Sequence, residues 1–279
     1  MSADVTRRPT TAVRVQVWDG DELRDRPDRL VTEEPMEIRI DAPGPSVVPL
    51  AVVMRTPGHD FELAVGFCLT EGIIEGAADL SEVRYCTGPE AEQQYNVVTV
   101  ATRVPVDLEN HQRNFVSSAS CGVCGKTTLD QLEVMCAPLA AGPRVLLRTL
   151  VGLPDQLRTE QTVFDTTGGL HAAALCSADG DVQVVREDVG RHNAVDKLVG
   201  HAVLANTLPL DHAVLVVSGR TSFEIIQKAA RAGITVVVAV SAPSSLAVAT
   251  AQRLGITLVG FVRDGRANVY TGASRIEAS

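Results

Sequence analysis

The stretch Ala213-Val214-Leu215-Val216-Val217-Ser218-Gly219-Arg220-Thr221-Ser222-Phe223-Glu224 decides how the C-terminal half of this chain is read. Its first five residues are apolar without alternation, a run too short for a helix, so they predict a strand buried on both faces. A polar, glycine-containing junction follows, then a helix over Ser222 to Ala232, with Thr221 to Glu224 fitting a capping box. The same order recurs on either side. Asn193 to Leu208 reads as a helix, Ile234 to Val240 as a second buried strand, Ser244 to Leu254 as a helix and Thr257 to Val262 as a third strand. Upstream, Leu170 to Cys176 and Val182 to Arg186 flank Ala178-Asp179-Gly180-Asp181, a hairpin signal. Continuous Val/Ile/Leu runs alternating with helices predict an α/β domain built on a largely parallel sheet covered on both faces.

In open α/β sheets ligands gather where strands end and helices begin, and three such junctions here carry unusual side chains. Arg186 to Asn193 precedes the first helix, Ser218 to Glu224 the second, and Ser241-Ala242-Pro243-Ser244-Ser245 the third, where serine caps are available. Exposed N–H groups at helix starts favour an anion, and Arg191, Arg220 and Lys197 add charge suited to phosphate. Arg158, outside any junction, is expected to matter less than Arg220. His192 beside Arg191, and His171 after Gly168-Gly169, are candidates to face a ligand; His59, His111, His201 and His212 read as surface or packing residues. Ordinary capping with surface ion pairs explains the junctions equally well. The turn Phe261-Val262-Arg263-Asp264-Gly265-Arg266 reads on its own as a hairpin with exposed charges.

The first 115 residues have another texture. Val13 to Trp18, Met36 to Ile40, Val47 to Arg55, Leu80 to Cys86 and Tyr95 to Val104 read as strands, and Phe61 to Leu69 as a helix: an α+β unit. Next comes Ser120-Cys121-Gly122-Val123-Cys124-Gly125-Lys126, two thiols three positions apart between glycines, expected on a loop. A thiolate is favoured by a nearby cation and by a helix N-terminus, which Lys126 and the run Thr127 to Met135 would supply. Residues 1–136 are thus read as an N-terminal domain, 137–143 as a linker and 144–279 as the C-terminal domain.

With 279 residues, 45% hydrophobic and only 4% aromatic, the chain has a core of Val, Leu, Ile and Ala. A net charge of −9 disfavours nucleic acid as main partner. No apolar run reaches the roughly 18 residues of a membrane span, and Met1 to Val17 lacks a secretory pattern, so a cytoplasmic protein with reduced cysteines is expected. Of the six cysteines, Cys68, Cys86, Cys136 and Cys176 stand singly. Structural zinc needs four ligands, and one Cys-x-x-Cys pair does not supply them. A dithiol redox module and a plain nucleotide-binding module are the alternatives left open.

Taken together, the cysteine loop, Asp165 to His171, Arg186 to Lys197, Ser218 to Glu224 and Phe261 to Arg266 resemble the FdhD family over about Val47 to Thr271. The resemblance implies a sulfur carrier, or sulfurtransferase, that takes persulfide sulfur from a cysteine desulfurase. It would pass that sulfur to the molybdenum bis(molybdopterin guanine dinucleotide) cofactor for formate dehydrogenase. It further implies Cys121 as persulfide bearer with Cys124 as partner, cofactor binding by Phe261, Val262, Arg263, Asp264, Gly265 and Arg266, a homodimer, and a C-terminal three-layer domain of the cytidine deaminase fold. Ser218, Gly219, Arg220, Arg191, His192 and His171 join that cofactor site. Where deaminases carry His-x-Glu, this chain has His171-Ala172-Ala173, so the general acid/base of hydrolytic deamination is missing.

Overall fold

A computed structural model describes residues 8–44, 46–86, 95–106, 136–139 and 142–278. The cysteine loop over 120–126, the helix expected over 127–135 and His111 lie outside the described residues.

The chain opens with an antiparallel ribbon of β1 (Thr10–Trp18) and β2 (Leu23–Val31). Strand β2 was not expected, because its sequence LRDRPDRLV is exposed along almost its whole length and leaves no alternation to read. Then come β3 (Glu34–Asp41), β4 (Val48–Arg55), helix α1 (Asp60–Thr70), β5 (Leu80–Tyr85) and β6 (Val97–Thr102). These strands form a sheet in the order β4-β3-β6-β5. Met36, Ile38 and Ile40 alternate inward from β3 and, with α1, close its core.

After the short β7 (Val145–Leu146), helices α2 (Leu147–Glu160) and α3 (Thr162–Thr167) precede β8 (His171–Cys176) and β9 (Val182–Asp188). Gly152 and Pro154 inside α2 obscure its period in the sequence, yet Leu150, Leu153 and Leu157 line its buried face. The remainder is α4 (Arg191–Leu204), β10 (Val214–Val217), α5 (Phe223–Arg231), β11 (Val236–Ala239), α6 (Ser245–Arg253), β12 (Thr257–Arg263), β13 (Arg266–Thr271) and β14 (Ile276–Glu277). Among the described residues no helix is long and apolar enough to cross a membrane.

The large sheet has the order β13-β12-β11-β10-β8-β9. It is less parallel than expected: only β10, β11 and β12 run together, with β8 antiparallel to β10 and β13 antiparallel to β12. Two hairpins, β8–β9 and β12–β13, flank the parallel centre. Side chains split by face as buried strands require: Leu215, Val217, Val237 and Ala239 join α4, α5 and α6 in one core, and Val214, Val216, Val236 and Val238 meet α2 in the other. The first of these cores is continuous with that of the small sheet, from Ile38 through Leu63 and Leu198 to Leu215. At the crossover from the first unit, Leu139 donates its backbone N–H to Leu254 O at 2.9 Å.

Helices α1 and α4 make the junction. A Cβ on Gly66 would overlap the Asp196 carbonyl, and one on Gly200 would overlap the Glu62 carbonyl, so the two backbones touch. Charged groups fasten the crossing. Lys228 Nζ from α5 meets Asp196 Oδ1 at 2.8 Å and Thr70 Oγ1 at 2.9 Å, all buried. Arg55, fully buried, holds Asp60 through its Nε and Nη2 at 3.0 and 2.9 Å. Glu62 of α1 receives Arg186 of β9 at 2.6 Å and His201 of α4 at 3.1 Å.

Burial would raise the Glu62 carboxyl, but hydrogen bonds from Arg186 and His59 outweigh it and hold the group down at about 2, against an ordinary 4.5. A depressed carboxylate contributes stability fully present above the unfolded value and lost as pH falls toward the folded one. Glu62→Gln should therefore cost on the order of 2 kcal/mol at neutral pH. In urea melts the gap between wild type and variant should close between about pH 4.5 and 2. A gap that persists unchanged at the acid end would contradict this.

Candidate functional site: one edge of the large sheet

Parallel β10, β11 and β12 end on one side of the large sheet, and the antiparallel partners bring two more segments there. Val217 pairs with Ala173 and His171 with Asp188, so the start of β8 and the end of β9 join the same edge. The three junctions expected over 186–193, 218–224 and 241–245 lie along it, the first beginning inside β9. Thr221 bridges to Pro243 in parallel, and Phe261 donates its N–H to Ser241 O at 3.2 Å, tying the last strand in.

The first junction is set by buried charge. Asp188, with no exposed surface, accepts the N–H of Gly190 at 2.8 Å, the amide of Asn193 at 2.8 Å and the N–H of Thr56 at 3.2 Å. Lys197 reaches Asp188 at 2.7 Å and the Thr56 carbonyl at 3.0 Å. That corrects its expected role: Lys197 is 1% exposed and its charge is neutralised inside the fold. The loop between β4 and α1 thus holds the start of α4, and with it Arg191 and His192.

At the second junction the capping box is not formed. Ser222 is the N-cap of α5 without a side-chain cap bond; its hydroxyl lies 3.0 Å from His192 Nε2, which also meets Glu224 at 2.9 Å. His192 takes Glu224 of the expected box together with the Ser222 hydroxyl, stitching α4 to α5, and the Thr221 hydroxyl is left buried without a hydrogen-bond partner. The third junction follows expectation, since Ser244 Oγ accepts the Ala247 N–H at 3.2 Å.

A cavity of about 570 Å³ opens between this edge and the corner where α2 meets α3. His171, Ser218, Val262 and Arg263 front it from the sheet. Ser218 Oγ is occupied, accepting the Ala172 N–H at 2.9 Å. Arg191 and Arg220 are not on the cavity wall but adjoin it: Gly219 sits where a Cβ would lie 3.2 Å from His171 Nδ1 and 3.9 Å from Arg191 Cδ. Arg191 Nε is buried without a hydrogen-bond partner, and Arg220 is exposed. Burial first, then the charges of Arg191, His192 and Arg220, lower the pKa of His171.

The stretch 261–266 divides. Val262 is buried against α2 and Arg263 borders the cavity, whereas Phe261 and Asp264 to Arg266 are exposed. Asp264 and Gly265, with φ of 52° and 72°, make a tight hairpin turn. Phe261 takes φ 53° beside a β-bulge, an uncommon conformation for a bulky residue, just before the chain turns Val262 inward.

The opposite wall was not read from the sequence. It comes from α2 and α3 and contains Arg158, the residue expected to be peripheral, with Gln161 and Phe164. Arg158 is ion-paired to Asp165 and lies 4.7 Å above the Phe164 ring. The Leu150, Leu153, Leu157 spacing was the available signal for this wall. Cys121 and Cys124 lie outside the described residues. Among the described residues no group of three or more His, Cys, Asp or Glu side chains is placed to hold a metal ion.

Residues 31–277 match the FdhD/NarQ family. The chain is 52% identical over 272 residues, 94% of its length and 93% of the relative's, to a sulfur carrier protein FdhD of Streptomyces coelicolor. A protein of the same name from Mycobacterium tuberculosis is 48% identical, over 94% of this chain and 97% of its own. A crystal structure of a protein provisionally described as a formate dehydrogenase accessory protein, from Desulfotalea psychrophila, superposes with a TM-score of 0.75 at 24% identity, covering 97% of this chain and all of that one. It has the same fold.

His171 gives the edge a reporter. Its imidazole should titrate below the ordinary 6.5 in NMR spectra assigned with His171→Asn. Inorganic pyrophosphate bound at the edge would offset the neighbouring arginines and raise that value, so anion affinity should grow as pH falls. An unshifted titration that ignores pyrophosphate would contradict this picture of the edge.

Proposed function

The chain belongs to the FdhD/NarQ family, and from that premise we propose that it is a sulfur carrier in formate dehydrogenase maturation. Cys121 accepts sulfur from a cysteine desulfurase, and the protein passes it to the molybdenum bis(molybdopterin guanine dinucleotide) cofactor, its cargo. A thiolate at Cys121 attacks the terminal sulfur of the donor's persulfide. The donor's S–S bond breaks, its cysteine leaves as thiolate, and the outer sulfur stays on Cys121. A glycine-flanked thiol with Lys126 nearby in sequence has the composition for this exchange. Cys124 is its companion in the motif, and the protein works in the cytoplasm as a homodimer.

The observation that supports the cargo is the convergence of His171, Gly219, Arg191 and Arg263 on one sheet edge beside a cavity of about 570 Å³. Such a volume lies within the usual range for small-molecule sites, roughly 300–1,000 Å³. A buried guanidinium nitrogen without a partner and an exposed arginine fit the pyrophosphate of a guanine dinucleotide arm. Arg263 adds a third cation at the rim.

The test is mass spectrometry of the protein after incubation with a cysteine desulfurase and cysteine. One added sulfur, removed by dithiothreitol, should map to the peptide carrying Cys121, and Cys121→Ala should lose it. Undiminished loading of Cys121→Ala would overturn the assignment.

A further inference from the structure

The ribbon of β1 and β2 belongs to neither larger sheet, and its two outer edges differ. Thr32 donates its N–H to Pro9 O at 2.8 Å, one step beyond the Thr10–Val31 pair. Bonded and non-bonded pairs alternate along an antiparallel ladder, so Thr11, Val13, Val15 and Val17 bond to β2. The backbone N–H and C=O groups of Thr10, Ala12, Arg14, Gln16 and Trp18 point the other way, without a partner among the described residues. On β2 the same alternation turns Pro27 outward, opposite Arg14. Proline has no N–H to offer and blunts that edge. The β1 edge has no such block, and Arg14 is the one charge in its nine residues.

The side chains mark the same strand. Val13, Val15 and Val17 form a half-buried row on one face, and Trp18, the chain's only tryptophan, is 63% exposed at the tip. A two-stranded ribbon alone is marginal in water, and further strands carrying an apolar face stabilise it. Charge narrows the choice of the added strand. The chain carries −9, so two copies repel over much of their surface. Residues 8–31 hold five arginines and five acidic residues, which cancel. The ribbon is thus a neutral place where two acidic copies can meet. Antiparallel pairing is also its own image under a twofold axis, so β1 of one copy fits β1 of another with no second patch required.

We propose that β1 is a strand-addition surface whose occupant is β1 of a second copy, giving a four-stranded sheet in the order β2-β1-β1-β2. Outward groups must oppose outward groups, so the registers with longest overlap place the twofold axis at Val13, Arg14 or Val15. An axis at Arg14 sets it against the partner's Arg14, and like charges directly opposite are unfavourable. An axis at Val15 sets Val13 against the partner's Val17, and Trp18 against the partner's Ala12, large over small. It alone opposes every valine of the row to another valine, and it is the register the pattern selects. The inference rests on the homodimer of the proposed function and uses neither the cavity nor the sulfur chemistry.

Light scattering and Trp18 fluorescence across a dilution series of the full chain test it. Wild type should be a dimer with blue-shifted emission, and dilution should shift the emission to the red as the mass halves. Arg14→Pro copies the Pro27 device onto β1 and spares the ladder to β2, because the Arg14 N–H faces outward. It should raise the dissociation midpoint at least about tenfold and leave Trp18 in water where wild type is dimeric. Ala12→Lys, at an exposed position, should act in the same direction without touching the backbone, and it keeps the test decisive should Arg14→Pro disturb the ribbon. By hydrogen exchange the amides of Ala12, Arg14 and Gln16 should be slow in wild type. In dissociated Ala12→Lys position 12, Arg14 and Gln16 should exchange fast, with Val13, Val15 and Val17 remaining slower. If wild type is a dimer whose Trp18 stays in water and whose mass neither variant changes, the β1 interface falls while the homodimer stands. If wild type is a monomer throughout, the homodimer falls and takes the interface with it.

Discussion

The contact between Gly66 and Gly200 is the constraint on which the rest of the architecture depends. Helices α1 and α4 approach until backbone meets backbone, and neither position has room for a side-chain carbon. Such an approach gains dispersion over its whole length but leaves no space for adjustment. Around it the fold places charged and polar groups from four elements: Glu62 and Thr70 from α1, Asp196 and His201 from α4, Arg186 from β9 and Lys228 from α5. Removing one member would leave another as an uncompensated buried charge, which costs far more than a surface pair contributes. The small sheet is thereby fixed to the large one: Thr56 in the loop before α1 binds Asp188 at the end of β9 and Lys197 of α4, and Met54 O of β4 accepts the amide of Asn193. Arg191 and His192 inherit their positions from that arrangement.

Charge is distributed to the same end. The protein carries a net −9, and many of its cations are consumed internally, as Arg55, Arg186, Lys197 and Lys228 illustrate. Arg191, Arg220 and Arg263 are different, since they cluster at a sheet edge without acidic partners among the described residues. A local cationic cleft on an acidic protein favours anionic small molecules over the long backbone of a nucleic acid.

The elements with strong internal pattern were legible in the sequence. The all-apolar runs of β10 and β11 could only be buried strands, and the helices after them followed from spacing and polar junctions. Parallel direction was not legible, because β8 is as apolar over most of its length as the parallel strands beside it and pairing is decided by tertiary packing, while the mostly exposed β13 carries no buried run to read. Strand β2, polar along its length, gave no period, and Pro154 concealed α2. The site divided in the same way. Its sheet edge was marked by glycine and arginine at three junctions, whereas the facing wall, with Gln161 and Phe164, belongs to helices the sequence did not announce. Lys197 shows the converse error, a cation that composition offers to a ligand and the fold spends on Asp188.

We propose that one edge of the large sheet, beside the α2–α3 corner, holds the nucleotide end of the cargo. A crystal structure of the full chain with GDP tests this most directly. The pyrophosphate should lie beside His171 and Arg263, with the base in the cavity they front. Nucleotide found instead in another cavity, of about 600 Å³ and bordered by Arg8, His59 and Gln183, would contradict it.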